Sequence, residues 1–199
     1  MLRRCAALGL ALASFGVSAC GGGGGGEPKA SDEPVGENVL AESKVAETEA
    51  HYLDLNGLKY QVQVSRQLNP RDVEDADYFK GLTPEQLALP DGSIWFGVFI
   101  RVENDSEEPV LSARSFLVED TQGNEFEPLE TENVFAYVPK TIPPGGYIPN
   151  QERLQAYAGS QGSRLLFKGP LASLDNRPLE LTGKSPNDSR MTAGVDLDV

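Results

Sequence analysis

Cys20 has the most distinctive chemical setting of any reactive side chain in this sequence. The small residues of the run Val17–Ala19 precede it directly, and six glycines follow it. Upstream, Arg3 and Arg4 form a positively charged region ahead of an apolar run that covers residues 6–17. This order is typical of a secretory signal peptide, and the run falls short of the roughly 20 apolar residues that a membrane-spanning helix needs. The sequence therefore predicts an exported protein.

The segment Val17-Ser18-Ala19-Cys20 resembles the lipobox of bacterial lipoproteins. The resemblance implies that residues 1–19 are a lipoprotein signal peptide and that cleavage falls just before Cys20. It also implies that the thiol of Cys20 carries a diacylglyceryl group and that the new amino terminus carries a further acyl chain such as palmitate. Two or more acyl chains hold a protein stably at a membrane, so we expect a lipid anchor in the cell membrane with the protein facing the extracytoplasmic side. The alternative is an ordinary secretory signal that happens to contain a cysteine.

Histidine and cysteine chemistry has few other candidates. His51 is the single histidine, and Cys5 would be removed with the signal peptide. Nucleophilic catalysis with a histidine base and zinc or copper sites built from histidine and cysteine therefore lack the side chains that they need. With only Cys20 left, no intramolecular disulfide can form. We expect no catalytic residue, no cofactor and no enzyme activity.

Carboxylates are the abundant reactive group, and four lie in one short segment: Asp72, Glu74, Asp75 and Asp77. Oxygen ligands at this spacing could bind Ca²⁺, although the segment lacks the mid-loop glycine and the distal glutamate of a helix-loop-helix calcium site. A pair of carboxylates could also serve a glycoside hydrolase. In a chain with 30 acidic residues, such clusters arise from composition alone. We therefore expect a solvated loop and no metal site, with calcium binding as the alternative.

The charge balance excludes several classes of partner. The formal net charge is −13, and removing Arg3 and Arg4 leaves 17 − 2 = 15 basic residues against 30 acidic residues, a net charge of −15. Such a surface repels nucleic acid and anionic lipid headgroups. The partners that we expect are the membrane, through the anchor on Cys20, and another protein of the envelope.

Composition divides the rest of the chain into three parts. Residues 20–50 combine glycine, proline and acidic residues with few large apolar side chains, which predicts a disordered tether because too little surface can be buried. Residues 51–183 have the composition and size of one globular domain. Residues 184–199 are predicted to be a disordered tail, because the polar run 185–189 separates the apolar alternation of 195–199 from the core. The alternative is that this alternation adds an edge strand.

Alternating hydrophobicity predicts the strands of this domain. Leu58, Tyr60, Val62 and Val64 alternate with polar residues, and a longer alternation covers residues 93–103. The second face of the longer run begins with aromatic residues and turns polar, which predicts a central strand covered at one end only. No repeated helical pattern is present, so an antiparallel β-sandwich is favoured over an alternating β/α fold.

One short helix is predicted in the long loop that covers residues 67–91. Thr83 is suited to the N-cap, Pro84 to the first helical position, and Gln86 to the reciprocal position of a capping box. Pro90 ends the helix within about two turns.

The run Ile94–Asn104 looks like the central strand of a family of bacterial lipoprotein domains that is catalogued only as a domain of unknown function. Four further segments are similar to that family: Asp120–Asn124, Pro144-Gly145, Leu165–Phe167 and Asn176–Leu181. The resemblance implies an all-β, immunoglobulin-like antiparallel β-sandwich, similar to small secreted mycobacterial antigens. It supplies no catalytic residues.

Aromatic side chains on two long loops are the remaining candidates for a binding surface. The loops cover residues 67–91 and 131–149, and the aromatic candidates on them are Tyr78, Phe79, Phe135, Tyr137 and Tyr147. If the loops converge, these residues would form an apolar patch that another envelope protein could contact. The other interpretation, which is the more frequent one for aromatic side chains on such loops, is that they plug the open end of the sandwich.

The function predicted from these features is that of a membrane-anchored extracytoplasmic lipoprotein. Its β-sandwich would act as a non-catalytic binding or accessory module in the bacterial cell envelope. The alternatives are an envelope enzyme of unrecognised type that uses acidic residues, and a calcium-binding surface domain.

Overall fold

The computed structural model describes residues 44–46, 51–150 and 162–199. The predicted signal peptide, Cys20 and the predicted tether apart from Lys44–Ala46 lie outside the described residues, as does the segment 151–161. Within the described part of the chain, no helix is long and apolar enough to cross a membrane.

Strands make up most of the described structure. They are β1 (Lys44–Ala46), β2 (Leu53–Leu55), β3 (Leu58–Leu68), β4 (Ser93–Glu103), β5 (Val110–Leu111), β6 (Ser115–Glu119), β7 (Glu125–Phe126), β8 (Thr141–Ile142), β9 (Tyr147–Ile148), β10 (Ser163–Pro170), β11 (Leu179–Lys184) and β12 (Thr192–Leu197). The single α-helix described, α1, covers Pro84–Leu87, and two 3₁₀ turns cover Ala76–Phe79 and Leu171–Asp175.

Two sheets pack face to face around the main core. The first has the order β1-β12-β11-β6-β7, and the second has the order β10-β4-β3-β2, with β9 also paired to β4. All strand pairs are antiparallel except β1 with β12. Strands β5 and β8 form a separate two-stranded pair. The all-β, immunoglobulin-like antiparallel sandwich with one short helix in a long loop, predicted from the sequence, is confirmed.

Strand β4 is central, as its two apolar faces predict. It pairs with β10 on one side and with β3 on the other. Its even-numbered residues from Phe96 to Val102 lie in the main core, and Ile94 packs against that core. On the opposite face, Trp95 and Phe99 are buried in a second apolar cluster, whereas Arg101 is only half-buried. The expectation that this second face is covered at one end is confirmed.

Strand β3 departs from the simple alternation that its sequence predicts. The register shifts between Val62, which pairs with Ile100, and Val64, which pairs with Phe99, so an irregularity falls at Gln63. An extra residue reverses which side chains face inward. The placement of Val64 on the main-core face is therefore wrong, because Val64 packs against the second cluster instead.

The C-terminal residues form a strand, so the prediction of a disordered tail is wrong. All six residues of β12 pair with β11, and Ala193, Val195 and Leu197 are buried in the main core. The polar run that suggested a linker is the connecting turn, in which Ser185 Oγ accepts hydrogen bonds from the backbone N–H groups of Asn187 and Asp188. The predicted tether also contains a strand, since β1 pairs with β12 in parallel.

The short helix α1 begins as predicted. The backbone N–H of Gln86 donates to Thr83 Oγ1 at 3.2 Å, and the backbone N–H of Thr83 donates to Gln86 Oε1 at 2.9 Å. Leu82 and Leu87, which flank the cap, both pack against the second cluster. The capping box therefore attaches the long loop to the face of β4 that bears Trp95.

Candidate functional site

The acidic loop does not gather its carboxylates at one point. Asp75 is buried, where it pairs with Arg66 Nη2 at 2.5 Å and accepts the backbone N–H of Asn69 at 2.9 Å. Asp77 pairs with Lys80 at 2.6 Å, and Asp72 accepts the backbone N–H of its neighbour Glu74. Among the described residues, no group of three or more metal-binding side chains is arranged to hold an ion.

The two long loops converge, but most of their aromatic side chains are buried. Tyr78 and Phe79 are each 5% exposed and Phe135 is 9% exposed. Tyr78 forms edge contacts with Phe99 and Phe135 at 5.1 Å between ring centroids, and Phe79 contacts Trp95 in the same way at 5.3 Å. The prediction of an exposed apolar patch is therefore wrong for these three residues. They form a second core that covers one face of β4.

Asn133 holds the two loops together. Its Nδ2 group donates to the carbonyl oxygens of Asp77 and Lys80, each at 2.9 Å, and its Oδ1 accepts the backbone N–H of Phe135 at 2.8 Å. One side-chain amide thus forms hydrogen bonds with backbone groups of both loops. These bonds fix the position at which the two loops meet.

Tyr137 and Tyr147 are half-buried rather than free. The hydroxyl of Tyr137 donates to the carbonyl of Ala113 at 2.8 Å, and its ring packs edge-on against Phe116. Burial raises the pKa of Tyr137. Burial also raises the pKa of Tyr60 to about 12, and the hydroxyl of Tyr60 accepts a hydrogen bond from the backbone N–H of Ala113. Both phenols are therefore neutral at physiological pH. The guanidinium carbon of Arg101 lies over the ring of Tyr147, 5.3 Å from the centroid of that ring.

A cleft of about 450 Å³ lies where the segment 128–139 runs beside β10. The backbone N–H of Leu129 donates to the carbonyl of Leu166 at 2.7 Å, and the N–H of Tyr137 donates to the carbonyl of Arg164 at 2.9 Å. The backbone N–H of Arg164 also donates to the carbonyl of Phe135 at 2.7 Å, and both the segment and β10 contribute residues to the wall of the cleft. Its volume is within the range of about 300–1,000 Å³ that is usual for small-molecule sites.

Arg164 lies in the wall of this cleft and is only 2% exposed. Its Nη2 donates to Thr131 Oγ1 at 2.6 Å, and Thr131 lines the same cleft. Among the described residues, Nε and Nη1 have no hydrogen-bond partner, and no acidic side chain pairs with this guanidinium. Burial lowers the pKa of Arg164 to about 10, so the group is still charged at neutral pH.

The rest of the cleft combines apolar walls with a charged rim. Phe116, Leu129 and Tyr137 contribute apolar surface, whereas Glu130 and Glu132 are exposed at the rim together with Arg114. The arrangement offers hydrogen-bond donors beside apolar surface. The described lining contains no histidine, cysteine or lysine, and the carboxylates in it, Glu130 and Glu132, are exposed at the rim.

Sequence reasoning missed Arg164 as a site residue, although one signal was present. Successive side chains of a strand point to opposite faces of the sheet. In a strand that contains Leu165 and Phe167, Arg164 must therefore share a face with Leu166. Leu166 is buried in the second core, and Arg164 pairs in register with buried Phe99 of β4. A charged residue on an apolar face of a predicted strand was the available clue.

Comparisons with known proteins bear on architecture only. No protein-family model and no curated protein matches this sequence. Three solved structures are similar in fold. An uncharacterized β-sandwich protein from Clostridium difficile is 8% identical, with a TM-score of 0.42 over 79% of this chain and 95% of that one. The yjhA protein from Bacillus subtilis is 9% identical, with a TM-score of 0.45 over 77% of this chain and all of its own.

The third structure is ycdA, a candidate lipoprotein from Bacillus subtilis. It is 12% identical, with a TM-score of 0.49, and the match covers 77% of this chain and 39% of ycdA. Identities this low do not transfer a function. The resemblance to secreted mycobacterial antigens stays a prediction.

Proposed function

We propose that this protein is a lipid-anchored extracytoplasmic module of the bacterial envelope that binds a ligand without transforming it. The observation that carries the binding role is the cleft beside Arg164, in which a buried guanidinium lacks an acidic partner among the described residues. The signal-peptide pattern that ends at Cys20 supports the anchor.

The side chains available for chemistry support a non-catalytic role. His51 is exposed at the start of the described domain, far in sequence from the cleft-lining segments. The phenols of Tyr60 and Tyr137 have raised pKa values and bond the backbone of Ala113, so they act as structural attachments between strands. The acidic loop uses Asp75 to hold Arg66. Each of these groups has a structural contact or lies apart from the cleft.

Fractionation of intact cells tests the anchor, and the chain itself offers a matched control. Cys20→Ser removes the thiol that would be lipidated, whereas Cys5→Ser changes a cysteine that lies within the signal peptide. We expect Cys20→Ser to move the protein from the detergent-extracted membrane fraction to the soluble exported fraction and to abolish labelling by a palmitate analogue. Cys5→Ser should leave both unchanged. A Cys20→Ser protein that stays in the membrane fraction would contradict the anchor.

A further inference from the structure

We propose that the cleft binds a carboxylate attached to an apolar group, with Arg164 as the residue that binds the carboxylate. An apolar amino acid and the free C-terminus of a peptide share this chemistry. The inference rests on the proposed binding role and specifies its ligand.

The first argument is the unusual state of the Arg164 side chain. Buried arginines are normally paired, because an ionised group removed from water loses several kcal/mol of hydration. Here the residue Arg164 is 2% exposed, its Nε and Nη1 are buried, and among the described residues its one side-chain hydrogen bond goes to a neutral hydroxyl, Thr131 Oγ1. An acceptor with negative charge would satisfy this group far better than Thr131 does.

The second argument is the way in which a ligand can reach the guanidinium. Nε and Nη1 are shielded from solvent, but Nη2 meets Thr131 at the cleft wall. Nε and Nη2 lie on one edge of the guanidinium plane, the edge that pairs with both oxygens of a carboxylate. A carboxylate that displaces Thr131 Oγ1 accepts from Nη2 in its place, on the edge of the guanidinium that also carries the buried Nε. Thr131 is therefore an internal acceptor that competes with the ligand for Nη2.

The third argument selects a monoanion with an apolar body. Two glutamates, Glu130 and Glu132, outnumber the one arginine, Arg114, at the rim, and the whole chain has a net charge of −13, so a multiply charged phosphate is repelled more strongly than one carboxylate. Phe116 and Leu129 supply apolar walls on which an aliphatic or aromatic group can pack. The glutamates at the rim also suit a ligand that carries an amino group.

The test titrates the full-length lipoprotein, purified in detergent, with two matched probes. N-acetyl-phenylalanine carries the carboxylate, and N-acetyl-phenylalanine amide has the same body without the charge. We expect calorimetry to show binding of the acid that is about tenfold or more tighter than binding of the amide, the loss expected for one charge-assisted hydrogen bond. The Nε–H resonance of Arg164 should shift with the acid only. Equal affinity for both probes, or binding of inorganic phosphate in preference to the acid, would overturn the proposal.

Variants separate binding from a structural role. Arg164→Met should lose the preference for the acid while melting at the same or a higher temperature, because it removes a buried charge without an acidic partner. Thr131→Val should bind the acid more tightly, since it removes the competing acceptor. Arg71→Met, at an exposed position outside the cleft, is the matched control and should bind as the parent does. If Arg164→Met does not fold, Arg164→Lys keeps the charge, loses the two-donor edge, and should bind the acid more weakly. Unchanged binding of the acid by a folded Arg164 variant would contradict the proposal.

Two further probes distinguish the sources of the carboxylate. Free phenylalanine represents an amino acid, and Ala-Ala-Phe with a free C-terminus, compared with its amide, represents a peptide. Tighter binding of free phenylalanine than of the peptide would identify an amino acid as the ligand, and tighter binding of the peptide acid would identify a peptide C-terminus. Either result supports recognition of a carboxylate. Fractionation of Cys20→Ser reports on anchoring alone. If the parent protein were soluble in cells but still bound the acid probe more tightly than the amide, the proposal of a lipid anchor would be wrong and the proposal of a carboxylate ligand would stand.

Discussion

Asp120 shows how one buried carboxylate can organise a turn without being a site. It is 4% exposed at the end of β6, and its Oδ1 accepts the backbone N–H groups of Gln122 and Asn124. Its Oδ2 accepts the side-chain amide of Asn176, which joins this turn to the approach to β11. Burial opposes ionisation of this group, but the hydrogen bonds from Asn124 and Asn176 outweigh it and hold the pKa of Asp120 well below its ordinary value.

Asp120→Asn should therefore lower the free energy of unfolding at neutral pH and make that free energy less dependent on pH in the acid range. A carboxylate whose pKa is lower in the folded state stabilises the fold above its unfolded pKa, about 3.9 for aspartate. That stabilisation is lost as the pH falls from this value through the lowered pKa of the folded state. Melting temperatures measured between neutral pH and pH 2 should show a shallower acid decline for Asp120→Asn than for the parent. The same decline in both proteins would contradict this role.

Asp91→Asn provides the control for that comparison. Asp91 is exposed in the turn before β4. Its substitution changes the net charge by the same amount without removing a buried network, so its acid decline should follow that of the parent.

At the scale of elements, β12 is the strand on which the first sheet depends. It lies between β1 and β11, and it contributes Ala193, Val195 and Leu197 to the main core. Val199, just beyond the strand, is also buried in that core. Without β12, the backbone groups of β11 that pair with it would lack hydrogen-bond partners, and the core around Leu181 would be exposed to solvent.

A chain that ends at Ser189 is expected to be unfolded or insoluble. Removing Val195, Leu197 and Val199 forgoes about 1.5–3 kcal/mol for each buried side chain, which together is comparable with the whole stability of about 5–15 kcal/mol of an ordinary domain. Arg190→Ala is the control, because it removes only a surface ion pair with Asp188. Circular dichroism and thermal melts compare the two. A cooperative melt of the truncated chain near that of the parent would show that β12 is dispensable.

At the scale of the whole molecule, the domain is held by two apolar clusters on either side of the second sheet. The main core lies between the sheets, and the second lies under the long loops. Both cysteines, Cys5 and Cys20, fall outside the described residues. Because β1 joins the sheet at Lys44, the 23 residues 21–43 could separate the domain from the lipid proposed on Cys20 by at most about 80 Å.

The domain should therefore melt at the same temperature with and without reductant or chelator. The predicted removal of Cys5 with the signal peptide would leave no pair of cysteines, and the carboxylates of Asp72, Asp75 and Asp77 each bind a different partner. Thermal melts in the presence of dithiothreitol and of EDTA check this expectation. A lower melting temperature with EDTA alone would revive a calcium site in the loop that contains Asp72, Glu74, Asp75 and Asp77.

Local pattern was sufficient for the features that depend on near neighbours. The alternation in β4 predicted its two faces, and the spacing of Thr83, Pro84 and Gln86 predicted the capped helix. Strand period and capping are short-range properties, so they can be read from residues a few positions apart. The charge balance and the signal-peptide pattern are likewise properties of the linear sequence.

Only the tertiary structure decided which distant segments share a surface. The alternation near the C-terminus became a core strand because β11 offered it an edge. The two aromatic loops meet where Asn133 binds Asp77 and Lys80, which lie more than 50 residues earlier in the sequence. Arg164 became the candidate site residue because Thr131, 33 residues earlier in the sequence, lies against it and both line one cleft. Burial and pairing of this kind depend on contacts between remote residues, which local propensity does not encode.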